Sequence, residues 1–201
     1  MRGSPVYAIT SDQEVELARI DRRVVPGKSC GTCSLCCKVV SITDFAKPAG
    51  IWCSHAKPGQ GCGIHLDRPF VCRGAYCHWM LTPGLGPEWK PEVAKFAIFV
   101  RNGGTRITAH VDAGHPGAWR REPYYKTFKA WAAKAIAQRP QMHMVDVMIG
   151  ERTTVILPDR DVEVGIIASD EAVQIDRGMT ATGEIVDVRV IKRAVEEALS
   201  A

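Results

Sequence analysis

The eight cysteines of this 201-residue chain all lie between Cys30 and Cys77, in about a quarter of its length. Residues 28–79, which we call the cysteine segment, are rich in glycine and proline and lack a sustained helical or strand period. Such a segment buries little apolar surface by itself, and an inorganic core of bound metal is the usual way to order it. The sequence therefore predicts a metal-binding module. The candidate ligands are Cys30, Cys33, Cys36, Cys37, Cys53, Cys62, Cys72 and Cys77.

The spacing at the start of the segment bears on the kind of metal. Cys30, Cys33 and Cys36 follow one another at two consecutive Cys-x2-Cys steps. One tetrahedral zinc needs only a single such pair and a distant second pair, whereas three sulfurs at this spacing match the start of the bacterial ferredoxin run, in which one loop holds three corners of a cubane. The run departs from that pattern at Cys37, which follows Cys36 directly. An iron–sulfur cluster, of the 4Fe-4S type, is slightly favoured over zinc.

The adjacent pair Cys36 and Cys37 also bears on the number of centres. In extended backbone, neighbouring side chains point in opposite directions, so the two thiols can hardly serve one ion in the same way. Eight sulfurs suffice for two four-sulfur sites, and they would also fit one cubane and one zinc. We expect one or two centres.

The alternative use of eight cysteines is four disulfide bridges. The first twenty residues carry charges throughout and contain no apolar run, so we expect neither a secretory signal nor a membrane anchor, and a cytoplasmic protein. Disulfides do not persist in a reducing cytoplasm, and a chain of this length folds without them. Metal binding is the preferred interpretation.

The formal charge supports this view. Residues 28–78 contain six lysines and arginines against two aspartates, so the whole net charge of +4 lies with the cysteines. Thiolate ligands would cancel this excess, which makes it compensation for an anionic sulfur centre rather than a nucleic-acid patch. We expect no membrane partner, disfavour a nucleic-acid partner, and allow for a protein partner.

The second half of the cysteine segment completes a specific resemblance to a known protein family. Gly61-Cys-Gly-Ile-His65 and Arg68-Pro-Phe-Val-Cys72-Arg73 follow the Cys-x2-Cys-x2-Cys-Cys run and the lone Cys53, and Cys77 closes the series. This order resembles the YkgJ-type cysteine-cluster family, described as a zinc- or iron-chelating domain. The family includes flagellin lysine methylases, and the resemblance implies metal binding more securely than any reaction. It covers Cys30 to Cys77.

Other side chains near the cysteines have two interpretations each. Arg68 and Arg73 can donate to sulfur and offset its charge, or they can form ordinary surface ion pairs. His55, His65 and His78 lie within three residues of a cysteine and could complete a mixed site, but hydrogen bonding is their default role.

Outside the cysteine segment the periodicity predicts an α+β fold. Residues 1–27 form an N-terminal segment, and residues 80–201 form an α+β portion. Within it we expect a hairpin over 93–111, an amphipathic helix over 124–138, short antiparallel strands over 144–190 and a C-terminal helix. The fold class is thus a loop-rich metal module followed by an antiparallel sheet with one or two packed helices.

Two kinds of function remain open. The first is a non-catalytic metal or cluster protein, including a purely structural zinc module that presents a surface to a partner. The second is an iron–sulfur-dependent enzyme, redox-active or methylase-like. No glycine-rich nucleotide loop follows a clear strand, and the sequence leans away from an enzyme.

Overall fold

The structure is a computed structural model that describes Tyr7 and residues 9–138, 143–180 and 183–193. The described residues form an α+β fold, as predicted. The α-helices are α1 Ser11–Asp21, α2 Cys36–Val39, α3 Phe70–Arg73, α4 His78–Leu81, α5 Pro91–Ala94 and α6 Tyr124–Ala137. The strands are β1 Ala56–Lys57, β2 Gly61–Cys62, β3 Phe96–Arg101, β4 Arg106–Val111, β5 Met144–Ile149, β6 Arg152–Ile156, β7 Asp161–Ile166, β8 Glu171–Thr180 and β9 Gly183–Lys192.

Three sheets contain these strands. Strands β1 and β2 pair with each other, β3 to β7 form a five-stranded sheet in sequence order, and β8 pairs with β9. The chain divides into two compact units, residues 1–99 with 109–119, and residues 100–108 with 120–201. In the described residues no helix has both the length and the apolar character needed to cross a membrane.

The first unit begins with α1 and contains the whole cysteine segment. Thr10 caps α1 by accepting a hydrogen bond from the Gln13 backbone N–H, and the Gln13 side chain accepts from the Thr10 N–H in return. This reciprocal pair satisfies two amide groups that the first helical turn leaves without partners. Most elements between residues 36 and 81 are shorter than five residues, so the cysteines lie in short elements and in the turns between them.

Strands β3 and β4 occupy the region in which the sequence predicts a hairpin. Asn102, Gly103 and Gly104 lie between the strands, and all three have positive φ angles. Glycine adopts this conformation without the steric cost that other residues incur, so the Gly-Gly pair suits the reversal. The inward side chains Phe96 and Ile98 are buried.

The second unit is built on α6 and the strands that follow it. Strands β5, β6 and β7 are antiparallel neighbours, with Val147 opposite Thr154 and Val155 opposite Val162. Phe128 on α6 and Val145, Val147 and Val155 are at most 1% exposed. The buried Tyr124 and Phe128 are four residues apart along α6, and Val145 and Val147 are two residues apart along β5. Spacings of about four and of two residues are those from which a helix and a strand are predicted.

One buried carboxylate joins β4 to β5 within the second unit. Asp146 is fully buried and accepts two hydrogen bonds from the Arg106 guanidinium, at 3.0 and 2.7 Å, and one from the Thr108 hydroxyl at 2.9 Å. A buried charge is tolerated only when it is paired in this way.

Strands β8 and β9 form a long two-stranded ribbon, with Val173 opposite Val190 and Ile175 opposite Val188. They are longer than the short strands expected from the sequence. The sequence predicts a C-terminal helix from Ile191, which is wrong at its start because Ile191 belongs to β9; the rest of the predicted helix, from residue 194, lies outside the described residues.

Candidate metal centre

The eight cysteines of the first unit can be divided into two sets by the elements that carry them and by what they pack against. Cys30 and Cys33 precede α2, Cys36 and Cys37 begin it, and Cys77 caps α4. Cys53 precedes β1, Cys62 ends β2 and Cys72 lies in α3. We call Cys30, Cys33, Cys36 and Cys77 the core set, and Cys37, Cys53, Cys62 and Cys72 the loop set.

The core set packs against one apolar cluster. Cys77 belongs to the buried cluster that also contains Leu35, Val39, Met80 and Phe99, and the other three core-set cysteines pack against it. The Cys30 Sγ lies 3.6 Å from the Met80 Sδ, and the Cys33 amide donates to the Cys30 carbonyl at 2.9 Å.

The electrostatics of the core set agree with this packing. Burial raises the pKa of Cys77 to about 11, and the neighbouring Cys30 and Cys33 act in the same direction. A raised thiol pKa of this kind is expected when one anionic sulfur would form beside others away from water. Cys77 is distant in sequence from the other three, yet it shares their electrostatic environment.

The loop set is assembled by backbone hydrogen bonds around β1 and β2. The Cys53 amide donates to the Cys37 carbonyl at 2.9 Å, and the Ala56 amide donates to the Cys53 carbonyl at 3.0 Å. Ala56 is in turn the strand partner of Cys62. These bonds connect three of the four cysteines through their backbone.

Cys72 joins the loop set through α3. Burial raises its pKa to about 11, with Cys37, Cys53 and Cys62 acting in the same direction. Burial also raises the pKa of Cys62, and Cys37 and Cys53 add to the effect. Cys37 also acts to raise the pKa of Cys30, so its electrostatic influence extends to the core set.

Cys36 and Cys37 stand where the two sets meet. The Cys36 thiol donates a hydrogen bond to Cys37. This bond is the main reason that the pKa of Cys36 lies well above its usual value, and it lowers the pKa of Cys37 to about 7. Cys30 and Cys33 also raise the pKa of Cys36, whereas Arg68 and Lys47 lower that of Cys37. The expectation of extended backbone at Cys36 and Cys37 is wrong, because both residues lie in the helical turn α2. Successive side chains on a helix still point about 100° apart.

Lys28 lies beside the core set and connects the two stretches of chain that carry it. The Lys28 ammonium donates to the carbonyls of Trp79, Thr82 and Leu85 at 3.0, 2.7 and 2.7 Å. These bonds hold the chain just before Cys30 to the chain just after Cys77. Burial lowers the pKa of Lys28, and the Cys77 thiol opposes that shift.

A second lysine lies beside the loop set. Lys47 is only 7% exposed, and its ammonium donates to the Lys38 carbonyl at 3.0 Å and to the Val40 carbonyl. Burial lowers the pKa of Lys47, while Cys53, Cys37, Cys36 and Cys72 act to raise it. A buried cation next to several sulfurs is what an anionic thiolate centre requires.

The two arginines flagged by the sequence differ in role. The Arg68 guanidinium acts to lower the pKa values of Cys37, Cys62 and Cys72, and its Nε donates to the His65 carbonyl at 2.8 Å. Arg68 acts on the Cys30 thiol in the same direction, so it supports charge compensation at both sets. Arg73 donates from Nε to the Arg68 carbonyl at 2.6 Å and so supports the backbone that carries Arg68.

The three flagged histidines make contacts other than to sulfur. Burial and Lys28 lower the pKa of His78, whose ring lies 3.2 Å from the Thr82 hydroxyl. The His55 ring packs against Phe45, with ring centroids 5.0 Å apart. Burial and Arg68 lower the pKa of His65.

Sequence reasoning missed Lys28, Lys47 and Met80 as individual neighbours of the cysteines. For the two lysines, the indication in the sequence is the positive charge excess of the cysteine segment. This excess predicts that cations offset the charge of the thiolates, but it does not say which lysine is buried. Nothing in the sequence pattern distinguishes Lys47 from the exposed Lys57.

All eight cysteines are free thiols. Within the part of the chain that the structure describes, no three cysteine, histidine, aspartate or glutamate side chains are grouped so that they could hold a metal ion as they stand. Searches of family models, curated proteins and solved structures gave no match to this chain. The resemblance to the YkgJ-type family therefore remains a prediction.

The donor chemistry nevertheless fits a thiophilic metal. Each set offers four sulfurs, the number that closes a tetrahedral zinc site or caps a cubane. Each also has a fixed lysine beside it. Thiolates repel one another, so a bound cation would supply the attraction that draws the members of a set together.

Proposed function

We propose that this chain is a metal-binding protein with two four-cysteine centres, one in the core set and one in the loop set. What supports a division into two groups of four is that the core-set cysteines pack against one apolar cluster, that hydrogen bonds connect the backbone of Cys37, Cys53 and Cys62, and that a lysine ammonium beside each group is fixed by backbone carbonyls. A division of this kind is what two independent metal sites need, because each site then has a complete set of ligands.

We favour an iron–sulfur cluster over zinc at the core set. Cys30, Cys33 and Cys36 come from one loop at two-residue spacing, and Cys77 is the distant fourth ligand. This is the arrangement in which one loop holds three corners of a cubane. Such a cluster would supply one-electron chemistry or structural order.

The loop set suits a single ion at least as well. Its four cysteines come from four separate segments, with no Cys-x2-Cys pair among them. Zinc accepts ligands from any segments that can surround it tetrahedrally. A protein with one cubane and one zinc is therefore consistent with both sets.

The same reasoning extends to location and partner. We place the protein in the cytoplasm, where free thiols persist, and propose that its cysteine segment presents the centres to a protein partner. Under this proposal, most of the positive charge of the cysteine segment offsets thiolate charge, so little of it remains to bind nucleic acid.

The test is anaerobic purification followed by metal and acid-labile sulfide analysis of the wild type and two variants. We expect about four iron and four sulfide per chain for each cubane, or about one zinc for each tetrahedral site. Cys33→Ser should remove the core-set share and Cys72→Ser the loop-set share. The exposed neighbour Thr32→Ala is the control and should retain both.

Wild-type protein with less than one equivalent of any metal would overturn the proposal. Variants that both lose all metal together would overturn the division into two sites, provided that their far-UV circular dichroism matches that of the wild type.

A further inference from the structure

Strands β8 and β9 form a ribbon of two strands that, among the described residues, belongs to no larger sheet. None of the ribbon residues 171–179 and 185–192 is buried, although Ile185, Val190 and Ile191 are apolar and are 47%, 39% and 38% exposed. A two-stranded ribbon is marginally stable in water by itself, and additional strands with a shared apolar face stabilise it. Further strands would therefore stabilise β8 and β9.

Two arginines attach the ribbon to the rest of the second unit. Arg177 on β8 donates to the carbonyl of Ile136 near the end of α6, and Arg160 donates to the carbonyl of Val186 on β9. Both bonds join a side chain to a backbone carbonyl, so they attach the ribbon without adding a strand to it.

The second edge of β9 is the place where a strand can be added. The Arg193 amide donates to the Asp170 carbonyl at 2.8 Å, so the backbone groups of odd-numbered residues face β8. Because residues alternate along an antiparallel pair, the even-numbered residues of β9 present their N–H and C=O groups to the other edge. The Val186 carbonyl, which accepts from Arg160, accordingly faces away from β8. The Arg160 side chain is 46% exposed and a carbonyl oxygen accepts two hydrogen bonds, so this contact does not prevent pairing.

The sequence of β9 suits pairing with a second copy of itself. In an antiparallel pair centred on Val188, residues at equal distances before and after Val188 lie opposite each other. The resulting pairs are Ile185 with Ile191, Val186 with Val190, and Asp187 with Arg189. Apolar side chains thus meet apolar side chains and each carboxylate meets a guanidinium, and such cross-strand pairs stabilise a sheet.

The backbone and the charges disfavour the neighbouring centres. Because the groups at the free edge belong to even-numbered residues, two copies of β9 can exchange hydrogen bonds only about a residue and not about a point between two residues. A centre at Asp187 would place that carboxylate opposite its own copy, and a centre at Arg189 would do the same with the guanidinium. Like charges directly opposite each other are destabilising. A centre at Val188 avoids both.

The charges within one ribbon also favour a second copy. Asp187 lies directly opposite Asp176 in the register of β8 and β9. The Arg189 guanidinium donates to the Asp176 carboxylate at 3.0 and 2.5 Å. In the pair centred on Val188, Arg189 would also lie opposite Asp187 of the second copy and offset its charge.

We propose that β9 pairs with β9 of a second copy of this chain, antiparallel and centred on Val188, so that two ribbons form one sheet of four strands. The proposal does not depend on metal binding. Within each ribbon, Val173 lies opposite Val190 and Ile175 lies opposite Val188. Residues directly opposite each other share a face of the sheet, so the dimer joins the two apolar faces into one of twice the width.

The test is the mass of the full chain in solution, measured by light scattering over a range of concentrations with a reductant present to exclude intermolecular disulfides. We expect about twice the 22.0 kDa of a single chain at the higher concentrations. In Val188→Lys two ammonium groups would lie opposite each other, so the dissociation constant should rise at least about a hundredfold. Met179→Lys, on β8 and 79% exposed, is the control and should associate like the wild type.

Charge-reversed variants test the register of the pair. Asp187→Arg places guanidinium groups opposite each other, and Arg189→Asp does the same with carboxylates, so each variant alone should associate at least about tenfold more weakly than the wild type. Mixed in equal amounts, the two variants should form a heterodimer, because each arginine then lies opposite an aspartate. A ribbon that had merely misfolded would not regain association on mixing.

Each result bears on a separate part of the proposal. A wild-type chain that remains a monomer at every concentration would overturn it altogether. A dimer that Val188→Lys leaves intact would place the interface on another surface and overturn its assignment to β9. Charge-reversed variants that stay apart when mixed would overturn the pairing centred on Val188.

Discussion

The cysteine segment and the strands β5 to β7 with α6 are ordered by different means. In the second region, Phe128, Val145, Val147, Val155 and Leu157 are at most 1% exposed, and each comes from a regular helix or strand or its immediate end. In the cysteine segment the buried apolar side chains are few, and the thiols lie in short elements and in the turns between them.

The comparison shows that a chain can be compact in two ways. The strand and helix region is stabilised by apolar burial, which requires only its own side chains. The cysteine segment relies on lysine-to-carbonyl hydrogen bonds and, under our proposal, on the metal that its thiols would bind. The two regions should therefore respond differently to the loss of a ligand and to the loss of a core side chain.

The largest expected effect comes from removing a core-set ligand. In Cys33→Ser, amide hydrogen exchange within 28–79 should rise about a hundredfold or more, because structural zinc contributes about 10–16 kcal/mol in small peptides. Exchange within 144–166 should stay within about threefold of the wild type, because that region has its own apolar core. Hydrogen-exchange mass spectrometry measures both regions in one sample.

Thr32→Ala is the matched control for this measurement, since Thr32 is exposed in the same loop. Equal protection of residues 28–79 in Cys33→Ser and in the control would contradict the idea that metal orders the segment.

The converse change is a cavity in the second region. Phe128→Ala removes a side chain that is 0% exposed and should lower the free energy of unfolding by about 3–5 kcal/mol, through lost burial and the cavity that remains. Chemical denaturation followed by circular dichroism measures this loss. The metal content per folded chain should not change.

Ile166→Ala is the control, because Ile166 lies on β7 but is 60% exposed, and substitutions at such positions alter stability by about 0.5 kcal/mol or less. If Phe128→Ala lowered the metal content while the protein remained folded, the two regions would not be independent in the way the comparison states.

Sequence reasoning succeeds in the two regions to different extents, and the reason is physical. The stripe Tyr124, Phe128 and Ala135 reflects the repeat of a regular helix, so the pattern alone indicates α6. The cysteine segment has no helical or strand periodicity from which its elements could be predicted. The spacing identifies the candidate ligands, but it does not say that Cys77 packs with the cysteines of the first loop or that the Cys37 carbonyl accepts a hydrogen bond from Cys53.

Those pairings depend on long-range contacts. Lys28 brings residues 79–85 beside the first loop, and the bond from the Cys53 amide to the Cys37 carbonyl draws Cys37 into the other set. The charge excess indicates that cations are needed near sulfur, but burial of Lys47 follows from the turn around it and not from its neighbours in sequence.

A smaller effect is expected from removing the cation beside the loop set. Lys47→Met keeps the buried side chain but deletes the charge near Cys53, Cys37 and Cys72. Loss of such a supporting partner typically weakens metal binding about 10- to 100-fold, so the loop-set metal should be lost to a chelator at least about tenfold faster.

Lys57→Met is the control, because Lys57 lies in the same segment but is exposed. The core-set share of the metal should be unchanged in both variants. A Lys47→Met protein that retains its loop-set metal as long as the wild type would show that this lysine acts on the fold alone.

The smallest effect concerns the ion pair between Lys38 and Asp112, which ties the cysteine segment to the residue that follows β4. The Lys38 ammonium lies 2.6 Å from the Asp112 carboxylate, whose side chain is 9% exposed. Burial acts to raise the pKa of Asp112, but hydrogen bonds from Lys38 and the Gly114 amide outweigh it and leave the pKa below its usual value. Asp112→Asn should lower the free energy of unfolding by about 1 kcal/mol at neutral pH.

The pH dependence of this loss identifies its origin. A carboxylate with a lowered pKa in the folded state stabilises the protein at pH values above its unfolded pKa of about 3.9, and that contribution disappears as the pH falls through the lower folded value. The stability difference between wild type and Asp112→Asn should therefore be present at pH 7 and shrink below about pH 4. Asp44→Asn, at an exposed position in the cysteine segment, should show no such difference. A gap between wild type and Asp112→Asn that persists unchanged below pH 4 would mean that the amide differs from the carboxylate in packing rather than in charge, and the ion pair would then contribute nothing to holding the cysteine segment in place.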